Sequence, residues 1–348
     1  MKRFLKISFC IILAITACFT LFACDNGNGD GDATTGMTVR KSAGAYIVKD
    51  YVKEVGADGK DVTALTIDGT TVATAYGATY NNEDISIASE AFKGNTSIKK
   101  LVISNKVVEI GKGAFAEMTA LEELVLPFAG SKIDAVNEER LLGYLFGEEE
   151  YDAGVKITQT VSGDLSKTDE TPSTADFYIP ATLKKVVINY EGEDAYTLPQ
   201  YTFSGVFSAL RTVELSGDKI TEIGTGAFYK SSISSITIPA KVTVIGNDAF
   251  AKCPLLTSVT LNDDLITIGD RAFEEFAGTQ FVFPESVKNI GLKAFANSKL
   301  TTIDNVNNFE NIGKWAFYNS KDLATITTTP NNSKLNGRTD IFDGTKIA

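Results

Sequence analysis

The most regular feature of the chain is a short apolar motif, Ile-Gly-x-x-Ala-Phe, which recurs along the chain, mainly in its second half. One copy runs from Ile245 to Phe250. Other full copies begin at Ile110, Ile223, Ile268, Ile290 and Ile312. From Phe228 to Phe317 the closing phenylalanines are 22 or 23 residues apart. A fixed period in this range is typical of solenoids, so the spacing predicts stacked coils.

Each coil also carries a second apolar pattern, Leu-x-x-Ile/Val-x-Ile/Leu. An example is Ile233, Ile236 and Ile238. Its last two apolar residues are separated by one position, as in a half-buried strand. We therefore expect a β-rich solenoid with coils of about 22–23 residues. A strand ladder should form one side of it, with short turns and loops on the other side.

The motif residues have separate expected roles inside each coil. The phenylalanine should fill the interior, and the alanine fits because the neighbouring ring leaves little room. The glycine is expected at a tight corner that requires a positive φ.

Changes in this pattern divide the chain into five predicted parts. The repeats occupy residues 85–322 and carry an insert at about 128–180. Within the insert we expect a degenerate coil at 141–146 and a polar loop from about 147 to 176. The remaining parts are a signal peptide at 1–23, a flexible tether at 24–36, a strand-rich N-terminal cap at 37–84 and a C-terminal cap at 323–348.

The N-terminus predicts export. A basic start precedes an apolar run of 16 residues, 7–22, which is short of the roughly 20 residues that span a membrane. The run ends in Leu21-Phe22-Ala23-Cys24, which resembles the lipobox of bacterial lipoproteins. We therefore expect Cys24 to be the lipid anchor, with ordinary cleavage and release as the alternative. Residues 25–36 have no apolar side chain larger than alanine, as expected of a tether.

Composition narrows the function further. The formal net charge of -11 argues against nucleic acid and anionic headgroups as main partners. The chain has no histidine, which excludes Ser-His-Asp and Cys-His catalysis and imidazole metal sites. The phosphate-binding Gly-x-x-x-x-Gly-Lys-Ser/Thr, Gly-x-Ser-x-Gly and Cys-x-x-Cys motifs are also absent. We predict a non-catalytic protein without a cofactor.

One cysteine and two acidic runs are further candidates for chemistry. Cys253 is the only cysteine in the repeats and is expected to act as a small buried hydrophobe. Acidic runs at Glu138–Glu139 and Glu148–Glu150 could bind calcium or serve a glycosidase. A solvated acidic loop is the simpler interpretation of these carboxylates.

The repeats resemble the BspA-type, or treponemal-type, leucine-rich repeat proteins of bacteria. The resemblance rests on the frame from Ile245 to Leu256, on Ile238-Pro239 and on the segment Leu142–Gly147, and it covers roughly residues 85–326. It implies a leucine-rich repeat solenoid. It also implies a role in surface adhesion, through binding of host matrix proteins or coaggregation with other bacteria.

The exposed face of the strand ladder is the candidate ligand site, because solenoids bind partners along extended ladders. Its first half is charged and apolar, and its second half is rich in hydroxyl groups. The candidate residues are Lys184, Lys185, Val187, Arg211, Glu214, Ser235, Thr237, Ser258 and Thr260. Serine and threonine also suit any exposed strand, so a ladder that serves only as scaffold stays open.

Together these features predict an adhesin-like lipoprotein of the cell envelope. We expect extracellular protein or glycan partners, membrane contact through the lipid anchor only, no nucleic acid, and a monomer. The cell surface or outer membrane is the favoured location, with the periplasmic side as the other possibility. The alternative function is a structural or scaffolding lipoprotein within the envelope that has no host ligand.

Overall fold

The computed structural model describes residues 36–52, 60–167, 169–327, 335 and 338–347. The predicted signal peptide, Cys24 and nearly all of the tether lie outside these residues. The described chain forms a parallel β-solenoid of about ten turns with little helix. This confirms the fold class that the repeat spacing predicts.

The strands are short and follow one another at the repeat interval. In chain order they are β1 (Gly36–Ser42), β2 (Ala45–Val52), β3 (Ala64–Ile67), β4 (Ile85–Ile87), β5 (Lys100–Ile103), β6 (Val107–Ile110), β7 (Glu123–Leu126), β8 (Gly154–Ser162), β9 (Ser173–Pro180), β10 (Lys185–Asn189), β11 (Tyr196–Leu198), β12 (Thr212–Ser216), β13 (Ile220–Ile223), β14 (Ser235–Thr237), β15 (Val244–Ile245), β16 (Ser258–Thr260), β17 (Thr267–Ile268), β18 (Gln280–Val282), β19 (Asn289–Ile290), β20 (Thr302–Asp304), β21 (Asn311–Ile312) and β22 (Thr325–Ile326). The helices are α1 (Gly69–Tyr76), α2 (Thr339–Phe342) and two 3-10 turns, Asn137–Arg140 and Leu142–Leu145.

The strand ladder is a seven-stranded parallel sheet in the order β16-β14-β12-β10-β7-β5-β3. Its register stacks equivalent repeat positions, so Val186 lies opposite Leu124 on one side and Val213 on the other. These three side chains are buried. Strands β18, β20 and β22 form a separate three-stranded parallel sheet from the later coils.

A second parallel sheet includes the residues that precede the motif glycines from Gly224 to Gly313. It has the order β11-β13-β15-β17-β19-β21, and it stacks Ile223, Ile245 and Ile268. At the N-terminal end β1 and β2 pair in antiparallel fashion, and β2 then pairs in parallel with β4. Strands β1, β2, β4 and β6 form a separate four-stranded sheet, whereas β3 pairs in parallel with β5 and so extends the strand ladder into residues before 85.

The motif phenylalanines from Phe228 to Phe317, with Phe203 and Phe342 at the two ends, stack into a continuous row, here called the phenylalanine spine. Neighbouring rings lie 5.0–5.4 Å apart between centroids and are inclined by only 5–12°. The spine consists of Phe203, Phe228, Phe250, Phe273, Phe295, Phe317 and Phe342. Parallel strands about 4.8 Å apart hold the rings at this distance. The interior role predicted for these residues is confirmed.

The reason for the motif glycine differs from the expectation. None of the six motif glycines has a positive φ. The residue with a positive φ lies two positions later in each copy, for example Asp248 (φ 54°) and Arg271 (φ 53°). A Cβ at Gly246 would instead lie 2.8 Å from the backbone nitrogen of Thr225 in the preceding coil. The prediction of a positive-φ corner at these glycines is therefore wrong. Glycine is required because two backbones approach too closely for a side chain.

Gly291→Ala tests this explanation. Its Cβ would overlap the backbone nitrogen of Asp270 and the carbonyl carbon of Gly269, neither of which can swing away. We expect the free energy of unfolding in urea to fall by about 1–3 kcal/mol, the usual cost of overpacking. If conformational freedom were the only role of this glycine, alanine would leave stability unchanged or raise it by about 0.4–1 kcal/mol. Either of those results would contradict the close-contact explanation.

The insert is more ordered than the predicted polar loop. Strands β8 and β9 form an antiparallel hairpin in which Ile157 and Phe177 face each other and are buried. Arg140 anchors the hairpin, because its guanidinium donates to the carbonyl of Val161 and lies 5.6 Å from the Tyr201 ring centroid. The few inward side chains are separated by polar ones that face solvent, and this explains why the segment resembles a loop in sequence.

Candidate functional site

The register of the strand ladder brings the predicted ligand residues onto one face. Val187 lies opposite Glu214, while Ser235 and Thr237 lie opposite Ser258 and Thr260. Lys184 and Arg211 directly precede strands β10 and β12. Residues that alternate with them, such as Val186 and Ile236, point inward and are buried. We call the outward positions of β5, β7, β10, β12, β14 and β16, together with Lys184 and Arg211 at the strand starts, the ladder face.

The charged half of the ladder face is internally paired. Lys184 contacts Glu122 at 2.8 Å, and Lys185 contacts Glu214 at 2.8 Å. The hydrogen bond from Lys184 lowers the pKa of Glu122, and the bond to Glu214 raises the pKa of Lys185. These contacts join neighbouring coils and neutralise charges that the sequence presents as free. A partner would have to compete with these pairs or bind around them.

Arg211 is turned back toward its own chain. Its guanidinium donates to the carbonyl of Ser208 and, at 3.3 Å, to that of Leu210. The residue nevertheless stays exposed.

The hydroxyl-rich half is different, because its side chains have no hydrogen-bond partner among the described residues. Ser235, Thr237, Ser258 and Thr260 are exposed. None of their hydroxyl groups hydrogen-bonds to a residue in the part of the chain that the structure describes. Each hydroxyl can both donate and accept. Two rows of unpaired hydroxyls at the strand spacing can therefore form repeated hydrogen bonds with an extended ligand.

Cys253 is buried, and its thiol lies 3.0 Å from the carbonyl of Phe228 in the preceding coil. Burial raises the pKa of Cys253 to about 11. The thiol is therefore protonated at neutral pH and is a poor nucleophile. Ser320 takes the same place relative to Phe295, with its hydroxyl 2.9 Å from that carbonyl. Side chains at this position thus link one coil to the previous one.

The acidic run Glu148–Glu150 contacts lysines in the structure. Lys112 contacts Glu148 at 2.7 Å, and Lys93 contacts Glu149 at 2.7 Å. No group of three or more acidic or cysteine side chains within the described residues is arranged to hold a metal ion. No helix among those residues has the length and apolar character needed to cross a membrane.

One surface feature gave no signal in the sequence. A cleft of about 630 Å³ lies beside the β8–β9 hairpin, lined in part by Phe207, Lys230 and Lys252. These residues belong to three different coils, and the hairpin lies outside the repeat pattern. Only the folded chain brings them together.

Comparison with known proteins supports the repeat pattern that the sequence shows. The family model for the BspA type leucine rich repeat region matches six copies, over residues 78–137, 174–298 and 221–347. No curated protein matches the chain at a significant level.

Solved structures of bacterial leucine-rich repeat proteins are also similar. One from Bacteroides ovatus is 21% identical with a TM-score of 0.41, and the match covers 85% of this chain and 64% of that one. A leucine rich cell surface protein from Faecalibacterium prausnitzii is 20% identical with a TM-score of 0.34, over 88% and 77% of the two chains. A third, from Bacteroides capillosus, is 30% identical with a TM-score of 0.28, over 32% of this chain and 86% of that one. The chain thus spans just under two thirds of the Bacteroides ovatus protein.

Proposed function

The chain belongs to the BspA-type leucine-rich repeat family, and we propose that its ladder face binds extracellular protein or glycan partners in an adhesin-like, non-catalytic role. The observation that carries this proposal is the double row of unpaired hydroxyls at Ser235, Thr237, Ser258 and Thr260. Exposed hydroxyls in register offer the same contact more than once along the stack. A ligand with its own repeat can meet several of them.

Binding of this kind depends on many modest contacts rather than on one deep pocket. A net hydrogen bond contributes about 0.5–1.5 kcal/mol. The stacked strands hold the hydroxyls in place before the ligand arrives, which reduces the ordering cost of association. The paired lysines beside them keep this face close to neutral, so a neutral or weakly charged partner fits it better than a highly charged one.

The proposed location is the cell envelope, with Cys24 as the lipid anchor. The lipobox-like sequence before Cys24 and the apolar-poor segment after it support this proposal. One acyl chain holds a protein weakly, and several hold it stably. A tether after the anchor would leave the ladder face free to meet partners.

A structural or scaffolding lipoprotein without a host ligand is the second candidate. The ion pairs of the ladder favour it, because Lys184 and Lys185 already have partners within the chain. Such pairs join coils and need no ligand to explain them. Protease accessibility of the solenoid on intact cells separates this internal role from an exposed binding role.

The binding proposal is tested with paired arginine substitutions. Thr237→Arg with Thr260→Arg places two bulky cations in the hydroxyl rows, and Val244→Arg with Thr267→Arg does the same on the second sheet. Binding to a panel of immobilised matrix proteins and to a glycan array is measured by surface plasmon resonance. We expect the ladder pair to weaken binding at least about tenfold, the loss of two hydrogen bonds. The second-sheet pair should leave binding unchanged.

Equal effects of the two pairs would contradict the assignment to the ladder face. Charge reversal of Lys184 and Lys185 to glutamate supplies a further measurement. These substitutions should weaken an acidic partner, since they place like charges beside Glu122 and Glu214. Unchanged binding of such a partner would remove the charged half from the site.

A further inference from the structure

The cleft beside the hairpin lies apart from the ladder face and has its own chemistry. Thr158 and Thr174 line it on the hairpin side, and Phe207, Lys230 and Lys252 line it on the coil side. We infer that this cleft binds an acidic saccharide, with Lys230 and Lys252 contacting its carboxylate and Phe207 packing against a sugar ring. The inference is independent of the ladder face.

Neither lysine forms an ion pair with a described residue, although Lys230 lies 5.1 Å from the Tyr229 ring centroid and the charge of Lys252 acts on the Glu274 carboxylate. No carboxylate oxygen among the described residues lies within 4.0 Å of the ammonium nitrogen of Lys230 or Lys252. By contrast, Lys156 in the same cleft contacts Asp176 at 2.8 Å. Cations without an ion-pair partner are notable in a chain of net charge -11. Their positive charges favour the binding of anions in the cleft.

The lysines also occupy equivalent positions in adjacent coils. The backbone N–H of Lys230 donates to Ala251, beside Lys252, and that of Lys252 donates to Glu274 in the next coil. Like charges directly opposite each other in neighbouring strands destabilise a sheet, and the same repulsion acts between stacked turns. A bound carboxylate would relieve it. The equivalent position of the next coil is Glu275, so the like-charged neighbours in this row are Lys230 and Lys252, the two lysines that line the cleft.

The aromatic and hydroxyl groups of the cleft match a sugar. Phe207 is 55% exposed, whereas the phenylalanines of the spine are buried. A pyranose ring has an apolar C–H face that packs on an aromatic ring and hydroxyls that pair with a threonine such as Thr174. The Thr158 hydroxyl donates to Asp176 at 2.6 Å and can still accept a hydrogen bond. The volume of about 630 Å³ lies within the range of ordinary small-molecule sites.

An acidic peptide fits this cleft less well. Peptides commonly bind through main-chain hydrogen bonds to a free strand edge. Here the N–H of Thr160 donates to the hydroxyl of Ser204 at 2.9 Å, and that of Gly205 donates to Tyr229 at 2.7 Å. These backbone donors are already occupied. Recognition is left to side chains, as in a saccharide site.

Titration of the full-length chain with a galacturonic acid hexasaccharide tests the inference, using isothermal calorimetry. Lys230→Gln with Lys252→Gln should weaken binding by about tenfold, the effect of losing two exposed charge contacts. The matched control is Lys299→Gln with Lys321→Gln, two exposed lysines that also lie 22 residues apart and should leave binding unchanged. Phe207→Ala should weaken binding by a smaller factor. Neutral maltohexaose should not bind.

Four outcomes would overturn the inference. They are no saturable binding of the acidic hexasaccharide, equal weakening by both lysine pairs, equal binding of maltohexaose, and binding of poly-glutamate but not of the hexasaccharide. The last would assign the cleft to an acidic protein segment. Each outcome is separate from the arginine test of the ladder face, because the variants share no residue.

Discussion

Phe250→Ala is expected to lower the free energy of unfolding by about 3–5 kcal/mol, the usual cost of truncating a buried aromatic residue. The Phe250 ring lies between Phe228 at 5.0 Å and Phe273 at 5.1 Å, and the residue is only 1% exposed. Alanine would leave a gap in the middle of the phenylalanine spine. Because each coil is stabilised mainly by its neighbours, the gap weakens both interfaces of the coil at once.

Urea unfolding followed by circular dichroism measures this loss. The matched control is Phe207→Ala, which removes an exposed phenylalanine and should change stability by less than about 0.5 kcal/mol. Trp315, the single tryptophan of the chain, reports by fluorescence on unfolding of the later coils. A loss below about 1 kcal/mol for Phe250→Ala would show that the spine contributes little to stability.

Arg271→Met is expected to cost about 3 kcal/mol, the lower end of the range for breaking a buried ion pair. Arg271 forms two hydrogen bonds with Asp248, at 2.8 and 2.7 Å, and their side chains are 13% and 4% exposed. Burial acts to lower the pKa of Arg271, but the hydrogen bonds and charge of Asp248 raise it overall. Without the guanidinium, the Asp248 carboxylate would remain buried without its cation.

Further variants, measured in the same unfolding experiment, show whether the stability lost in Arg271→Met comes from the broken ion pair. Lys241→Met breaks the exposed pair with Asp264, at 3.0 Å, and should cost less than about 1 kcal/mol. Asp248→Ala combined with Arg271→Met should recover part of the stability lost by Arg271→Met alone, because it removes the stranded charge. A double variant as unstable as the sum of the two single variants would exclude a specific interaction between these side chains.

The hairpin in the acidic insert is a structural element that the sequence pattern did not predict. Its polar residues are numerous, but Ile157 and Phe177 alternate with them and pack inward. Alternation over a short strand is a weak signal when most of the outward residues are charged or hydroxylated. The hairpin also pairs with no repeat strand of the ladder, so the 22–23-residue period gives no help in locating it.

The repeat pattern identifies the positions of the motif glycines correctly, but the positive φ expected there is not the reason for them. The repeat identifies Gly246 and Gly291 as special, yet their φ angles are ordinary. Their requirement comes from the backbone of the preceding coil, as the contact with Thr225 shows. That coil is near in space only after the chain has completed a full turn. The local sequence therefore shows the glycine, but it does not show the backbone of the preceding coil, which leaves no room for a side chain.

By itself, the sequence determined the solenoid, its period, the buried phenylalanines and the strand positions that form the ladder face. These features repeat every 22 or 23 residues and obey local rules of alternation, so one coil predicts the next. Only the tertiary structure decided that Lys184 pairs with Glu122 across 62 residues and that Lys230 and Lys252 share a cleft with the hairpin. Such contacts depend on which coils and insert become neighbours, and that is set by stacking rather than by the local pattern.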